Sequence, residues 1–339
     1  MRATVNHAVK QAEVPEPSGA AGPFHARLPG YRPTPVRELS GVAGELGVAA
    51  VSIKDESDRF GLPAFKVLGA SWAIECALRD EPDARALVAA SAGNHGRAVA
   101  RLASERGLGC RILLPKRAAK ARREAIAAEG AEVVMVDADY ETAVALAREQ
   151  GLEDGVLEIA DVGDSASAHR VIDGYATLFA EAESQADFDL LLVPAGVGSL
   201  AAAAARFAAG REVFVVGVEP VAAACLSASL EAGEPAAVAT PGTSMAGMDC
   251  AQVSAAAWPS LLHGIHGTVS VDDAEADRAM ADLAGEGLAM GQCGAAPLAA
   301  IRALATDDRC ADLREAVNFG PRTRALLIGT EGVTDRSVA

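Results

Sequence analysis

VSIKDESDRFGLPAFKVLG, residues 51–69, decides how the rest of the chain is read. The apolar run Val51 to Ile53 reads as a strand and stops at the charged cluster Lys54, Asp55, Glu56. Gly61 and Pro63 then mark a turn. Lys66 opens a helical pattern that continues through Trp72, Ile74 and Leu78. A lysine in a first helical turn sits among unpaired N–H groups at the positive end of the dipole. That setting, together with burial, favours the neutral amine. A neutral lysine is a nucleophile and can form a Schiff base with an aldehyde. The chain has five lysines, at positions 10, 54, 66, 116 and 120. Lys10 lies in the N-terminal stretch, and Lys116 and Lys120 flank a basic helix start, which leaves Lys54 and Lys66 as candidates. A solvated helix-start lysine is the plainer alternative, so the neighbouring motifs must decide.

The whole chain bounds the answer. Its 339 residues suggest about two domains, and they are half hydrophobic and 22% charged, as in an ordinary soluble protein. The net charge of −16 argues against nucleic acid as a partner, despite the basic stretch 116–123. The six cysteines form no CxxC pair, which points to free thiols in a reducing, cytoplasmic setting and away from a metal site. No apolar run reaches membrane-spanning length, and the first 22 residues lack a signal-peptide core.

Strand and helix patterns alternate from residue 86 onward. Strands are predicted at 86–90, 110–114, 131–136 and 157–160, with helices at 94–106, 118–129, 140–150 and 165–184. A second block places strands at 189–194, 213–218 and 325–329 and helices at 198–209, 221–231, 272–285 and 295–305. The prolines of residues 24–39 hold that segment extended. Alternating βα units imply parallel sheets, and the lack of a linker implies two interlocked α/β domains sharing a cleft. The domain reading is a flexible N-terminus at 1–23, a large domain at 24–78 plus 155–339, and a small α/β domain at 79–154.

Ligands of open parallel sheets sit beyond the carboxyl ends of strands, and three such ends carry chemistry. Ser91-Ala92-Gly93-Asn94-His95-Gly96 follows the strand 86–90 and offers hydroxyl, amide and backbone groups for a carboxylate or a flat ring. Pro194-Ala195-Gly196-Val197-Gly198-Ser199-Leu200 makes a nest of N–H groups suited to a phosphate, without the lysine of a P-loop or the third glycine of a dinucleotide fingerprint. Thr330-Glu331-Gly332 follows the last strand and offers a neutral hydroxyl to a ring nitrogen. Each loop alone is also a plain capped turn. Together with Lys66 they suit pyridoxal 5′-phosphate (PLP), which has an aldehyde, a phosphate, a ring hydroxyl and a pyridine nitrogen.

The motifs YRPTPVREL (31–39), KDESDRFGLPAFKVLGAS (54–71), SAGNHG (91–96), GYATL (174–178), PAGVGSL (194–200), SMAGM (244–248) and GTEGVTD (329–335) resemble the tryptophan-synthase-β-like, fold type II group of PLP enzymes. Within that group the chain looks most like the diaminopropionate ammonia-lyases, with threonine and serine dehydratases as relatives. The resemblance implies two three-layer α/β/α domains with PLP in the cleft between them, and a cytoplasmic homodimer. It implies that Lys66 holds the cofactor and exchanges the Cα proton. Asn94 would contact the ring hydroxyl, and Gly196, Val197, Gly198, Ser199 and Leu200 the phosphate. Thr330 would stand near the pyridine nitrogen, and Ser91, Ala92, Gly93, Asn94 and His95 would form the substrate loop. Asp161 stands where the family has a second carboxylate. The implied reaction is α,β-elimination on a small amino acid, 2,3-diaminopropionate-like or serine/threonine-like, giving a 2-oxo acid and ammonia through an aminoacrylate.

Two departures stand out. Ala92 replaces a carboxylate that the family links to proton abstraction from the D-substrate, and Gln292-Cys293-Gly294 replaces Glu-Ser-Gly, which would change the charge of the site. They keep a β-replacement synthase open as the alternative. A dinucleotide-dependent oxidoreductase lacks its fingerprint, and a non-catalytic binding protein would leave Lys66 without a task. His95 reads as a packed or capping residue.

Overall fold

The computed structural model describes residues 2–116 and 118–333. Met1, Arg117 and residues 334–339 lie outside the described residues. One residue of the basic stretch 116–123 and the last two of GTEGVTD are therefore not placed. The chain divides into two compact units. One comprises the chain up to Phe65 together with the stretch from Ala176 onward, and the other is Lys66–Tyr175.

The first unit is built on seven strands: β1 (Arg2–Val5), β2 (Val36–Glu38), β3 (Ala50–Asp55), β8 (Leu190–Pro194), β9 (Phe214–Pro220), β10 (Gly267–Val271) and β11 (Arg324–Gly329), in the order β1-β10-β9-β8-β11-β3-β2. The five central strands run parallel, and only the edges β1 and β2 are antiparallel. All five residues of β8 are buried, as a strand covered on both faces requires. Leu190, Leu192, Leu327, Val216 and Leu304 lie in one apolar cluster, and each fully buried leucine contributes on the order of 1.5–3 kcal/mol. The N-terminal stretch, expected to be flexible over 1–23, carries a strand. β1 pairs with β10 from Arg2↔Ser270 to Val5↔Gly267, and the Asn6 amide donates to the carbonyls of Leu262 and Ile265. Those backbone bonds hold a polar stretch that has no apolar pattern of its own.

The second unit carries β4 (Ala86–Ala90), β5 (Gly109–Pro115), β6 (Glu132–Val136) and β7 (Val156–Glu158), all parallel, in the order β6-β5-β4-β7. The alternation read from the sequence is present here, with end shifts of a residue or two. Both helices at its chain ends pack tightly. A Cβ on Gly69 would lie 2.6 Å from the Tyr175 ring, and one on Gly174 2.7 Å from the Leu68 carbonyl oxygen. Only glycines let the helix Lys66–Asp80 and the first turns of Ala166–Glu183 approach so closely. That contact draws both segments into this unit, whose limits are Lys66 and Tyr175 where the sequence suggested 79 and 154.

Candidate active site

In the first unit, register places two of the sequence motifs side by side. Leu327 on β11 faces Leu192 on β8, and Gly329 faces Asp55 on β3. The loops that begin at Ala195 and Thr330 therefore leave one sheet edge from neighbouring strands, which are spaced about 4.8 Å apart. Gly198, with φ +90°, precedes the helix Ser199–Ala208 in the left-handed region, where a side chain is strained. A Cβ on Gly196 would meet the Gly247 carbonyl oxygen at 2.9 Å, so the SMAGM segment closes over this loop. The first-turn N–H groups of Ser199–Ala208 have no carbonyl of their own helix to bond. Thr330 is buried, and its Oγ1 has no hydrogen-bond partner among the described residues. A buried hydroxyl without a partner costs roughly 1–3 kcal/mol, which a ligand nitrogen would recover.

The same edge holds the segment 63–65. Ala64 bridges Glu331, the Phe65 N–H donates to the Thr330 carbonyl, and the Gly332 N–H donates to the Pro63 carbonyl. The residue just before Lys66 is thus tied by backbone to Thr330. Behind this segment lies a buried quartet. Arg59 donates to Glu56 Oε1 at 2.6 Å and to Glu181 Oε1 at 2.7 Å, and Lys54 donates to Glu181 Oε2 at 2.8 Å and to the Thr34 carbonyl at 2.6 Å. Burial raises the Glu181 carboxyl, but Arg59 and Lys54 outweigh it and lower it. Lys54, one of two lysine candidates, is therefore committed to an ion pair inside the first unit.

In the second unit, Lys66 Nζ lies 2.8 Å from Asp161 Oδ2. Val88 pairs with Glu158, and Ser91 and Asp161 stand equally far beyond that pair on adjacent strand ends. Burial would raise the Asp161 carboxyl, but the His95 ring and the Lys66 amine overcome it and hold it down at about 2. Asp161 is thus a carboxylate at neutral pH, and its attraction for an ammonium opposes the dipole argument for a neutral Lys66. The His95 ring also faces Asp161, a placement that the sequence reading missed, because 66 residues separate them and neither position signals the other. Asn94 opens the helix Asn94–Glu105 after Gly93, around which a Cβ would find open space. Ala92 is half-buried and offers no polar group.

Gln292 stands at the start of the helix Gln292–Thr306. Its Nε2 donates to Asp277 Oδ1 at 3.2 Å, so this amide is engaged at the outer surface. The carboxylate beside Cys293 comes instead from Glu331, whose Oε1 lies 3.2 Å from where a Gly291 Cβ would stand. Among the described residues, no group of three or more His, Cys, Asp or Glu could hold a metal ion, and no helix is long and apolar enough to cross a membrane.

A family model described as pyridoxal-phosphate dependent enzyme matches residues 27–317. The diaminopropionate ammonia-lyase of Salmonella typhimurium is 31% identical over 358 residues, spanning 93% of this chain and 89% of that protein. The crystal structure of the Escherichia coli diaminopropionate ammonia-lyase in complex with an aminoacrylate-PLP azomethine reaction intermediate superposes with a TM-score of 0.89 at 28% identity, covering 98% of this chain and 94% of that one. The same enzyme in complex with D-serine gives a TM-score of 0.89 at 27% identity, with 98% and 94% covered. These neighbours are fold type II enzymes, which agrees with the mostly parallel α/β architecture found here. Taken unit by unit, the residues present are of the kinds pyridoxal phosphate needs: the first unit has a glycine turn at a helix start and the buried Thr330 hydroxyl, and the second has the Lys66 amine. The chain belongs to the pyridoxal-phosphate-dependent enzyme family, and pyridoxal 5′-phosphate is its cofactor.

Proposed function

We propose that this chain is a PLP-dependent carbon–nitrogen lyase. It eliminates the Cβ amine of a small 2,3-diamino acid, with serine- or threonine-like hydroxy amino acids as slower substrates. The products are a 2-oxo acid and ammonia. The observation that carries the reading is the Lys66–Asp161 pair at 2.8 Å, an acid and a base held together beside the substrate loop. The likeness to the diaminopropionate ammonia-lyases over nearly the whole chain supports the reaction class.

The bound pyridoxal ring supplies an electron sink that makes a Cα proton removable. Lys66 carries the amine that binds the aldehyde and takes the Cα proton. Asp161 would hold the charge of Lys66 and relay a proton from it to the leaving amine. Ser91, Ala92, Gly93 and His95 would frame the substrate carboxylate, and Asn94 would hold the ring hydroxyl. Gly196, Val197, Gly198, Ser199 and Leu200 would hold the phosphate through backbone N–H groups and the Ser199 hydroxyl. Thr330 would offer the ring nitrogen a neutral hydroxyl, which suits elimination. Ala92 has no proton-accepting group, so a single enantiomer, the L form, is turned over well. A homodimer and a cytoplasmic setting belong to the same proposal, the latter supported by six free cysteines.

Gly198→Ala puts a Cβ at a left-handed position and 2.6 Å from Leu261 Cδ1. The strain, on the order of 1–2 kcal/mol, should weaken cofactor binding about tenfold, as read by equilibrium dialysis of PLP. The reaction itself is tested by incubating the loaded enzyme with L- and D-2,3-diaminopropionate, L-serine and L-threonine. Pyruvate with release of both nitrogens from the L-diamino acid is expected. Oxo acid from none of them, with added thiol consumed into a new amino acid, would replace elimination by β-substitution.

A further inference from the structure

His95 is buried in the first turn of the helix Asn94–Glu105. Its Nε2 lies 2.8 Å from the Ile159 carbonyl oxygen. A carbonyl can only accept, so Nε2 carries the ring hydrogen, and Nδ1 is the lone-pair nitrogen of the neutral ring. That Nδ1 is buried, has no hydrogen-bond partner and faces Asp161 Oδ2 at 3.8 Å. Two acceptors facing each other away from water repel, and a proton between them turns the repulsion into a charge-assisted hydrogen bond. The same Oδ2 accepts from Lys66 Nζ. Three segments, the helix Lys66–Asp80, the turn after β7 and the helix Asn94–Glu105, thus bring a lysine, a carboxylate and an imidazole to one oxygen. Among the described residues, Tyr175 from the helix Ala166–Glu183 also faces them, its ring centre 6.0 Å from Lys66 Nζ.

We propose that His95 Nδ1 and Asp161 Oδ2 together hold one exchangeable proton, so that His95 is a positioning residue that acts through Asp161 on the charge of Lys66. The inference rests on the elimination reading for its role in turnover. When Lys66 is an ammonium, it balances Asp161. When its nitrogen becomes neutral, the buried carboxylate loses that positive charge, and a proton kept on the His95–Asp161 pair restores the balance. The proton count closes. Lys66 gives one proton to the pair, then takes the Cα proton, and the Cα–H electrons form the Cα–Cβ double bond. The Cβ–N bond breaks with its electrons on nitrogen, which takes the proton from the pair. Lys66 is again an ammonium and again balances Asp161.

The test uses the full-length enzyme with PLP. His95→Gln keeps an amide N–H for the Ile159 carbonyl but has no titratable nitrogen. It is expected to lower kcat about tenfold to 100-fold with little change in KM, and to flatten the limb of the kcat–pH profile to which the pair contributes. Nitrogen-15 NMR of the wild-type imidazoles gives a readout apart from activity. The apo protein should show His95 as the Nε2–H tautomer, and PLP loading should add a proton at Nδ1. Unchanged kcat and pH profile in His95→Gln, or an Nδ1 signal that PLP does not move, would overturn the pair. If the NMR change occurs but no substrate is turned over, the elimination reading fails and the proton pair stands.

Discussion

Lys66→Ala is expected to lower kcat by at least about 10²–10⁴-fold, the range for loss of a positioned acid/base, with no rescue by another lysine of the chain. Each of the others is engaged elsewhere. Lys54 is buried on Glu181, Lys10 pairs with Glu13, Lys116 with Asp137 and Lys120 with Glu124. The Gly196–Leu200 nest and Thr330 are untouched by the change, so PLP should still be retained, weakly and without a covalent bond. Stability changes with pH in a definite direction. The lowered Asp161 carboxyl stabilises the fold above its unfolded value of ~4, and that contribution fades as pH falls from there toward about 2. Removing the Lys66 ammonium reduces this contribution. The Tm difference between wild type and Lys66→Ala should therefore be largest at neutral pH and shrink in acid. A thermal-denaturation series read beside kcat checks both parts, and a variant with more than a tenth of wild-type kcat would contradict the role given to Lys66.

Arg59→Met is expected to have the largest effect on stability, about 3–5 kcal/mol. Lys54, Glu56, Arg59 and Glu181 form a buried, charge-balanced quartet. Taking away Arg59 leaves two carboxylates facing one ammonium, out of reach of water. The loss should be partly recovered in Arg59→Met combined with Glu56→Gln, which leaves the Lys54–Glu181 pair balanced. The quartet also holds the start of the segment that leads to Lys66. Arg59 and Leu62 exchange both backbone hydrogen bonds, and Phe60 between them is held at φ +56°. Loosening that turn should lower kcat in the single variant even under conditions where it is fully folded. Urea denaturation gives the free energies, and a loss below about 1 kcal/mol would show that the quartet behaves like a surface ion pair.

The candidates were legible because parallel strands carry their loops at one end. The Ser91–Gly96 loop, the Gly196–Leu200 turn and Thr330 are small or polar residues directly after an apolar strand, and Lys66 opens the helix that follows β3 after a turn. The strand pattern from 86 onward was clear for the same reason: Ala86–Ala90 and Leu190–Pro194 are apolar without interruption. What stayed hidden depends on partners remote in sequence. β10 reads Gly-Thr-Val-Ser-Val, and its buried hydroxyls break the apolar run, although all five residues are inside. β1 is defined only by its pairing with β10. Lys54 carried as much promise as Lys66 until Glu181 and Arg59 were placed around it. His95 looked like a packed helix-start residue, and it is one. Its meaning comes from Asp161, which no local pattern connects to it. The contact of Gln292 with Asp277 was likewise not visible in the sequence.

The most direct measurement is borohydride reduction of the PLP-loaded protein, followed by peptide mass mapping. The account predicts one modified peptide with the pyridoxyl group on Lys66, and a visible absorption band that reduction abolishes and that shifts on addition of L-2,3-diaminopropionate. No incorporation after saturation with PLP, or a label on Lys54 or another lysine in place of Lys66, would contradict it.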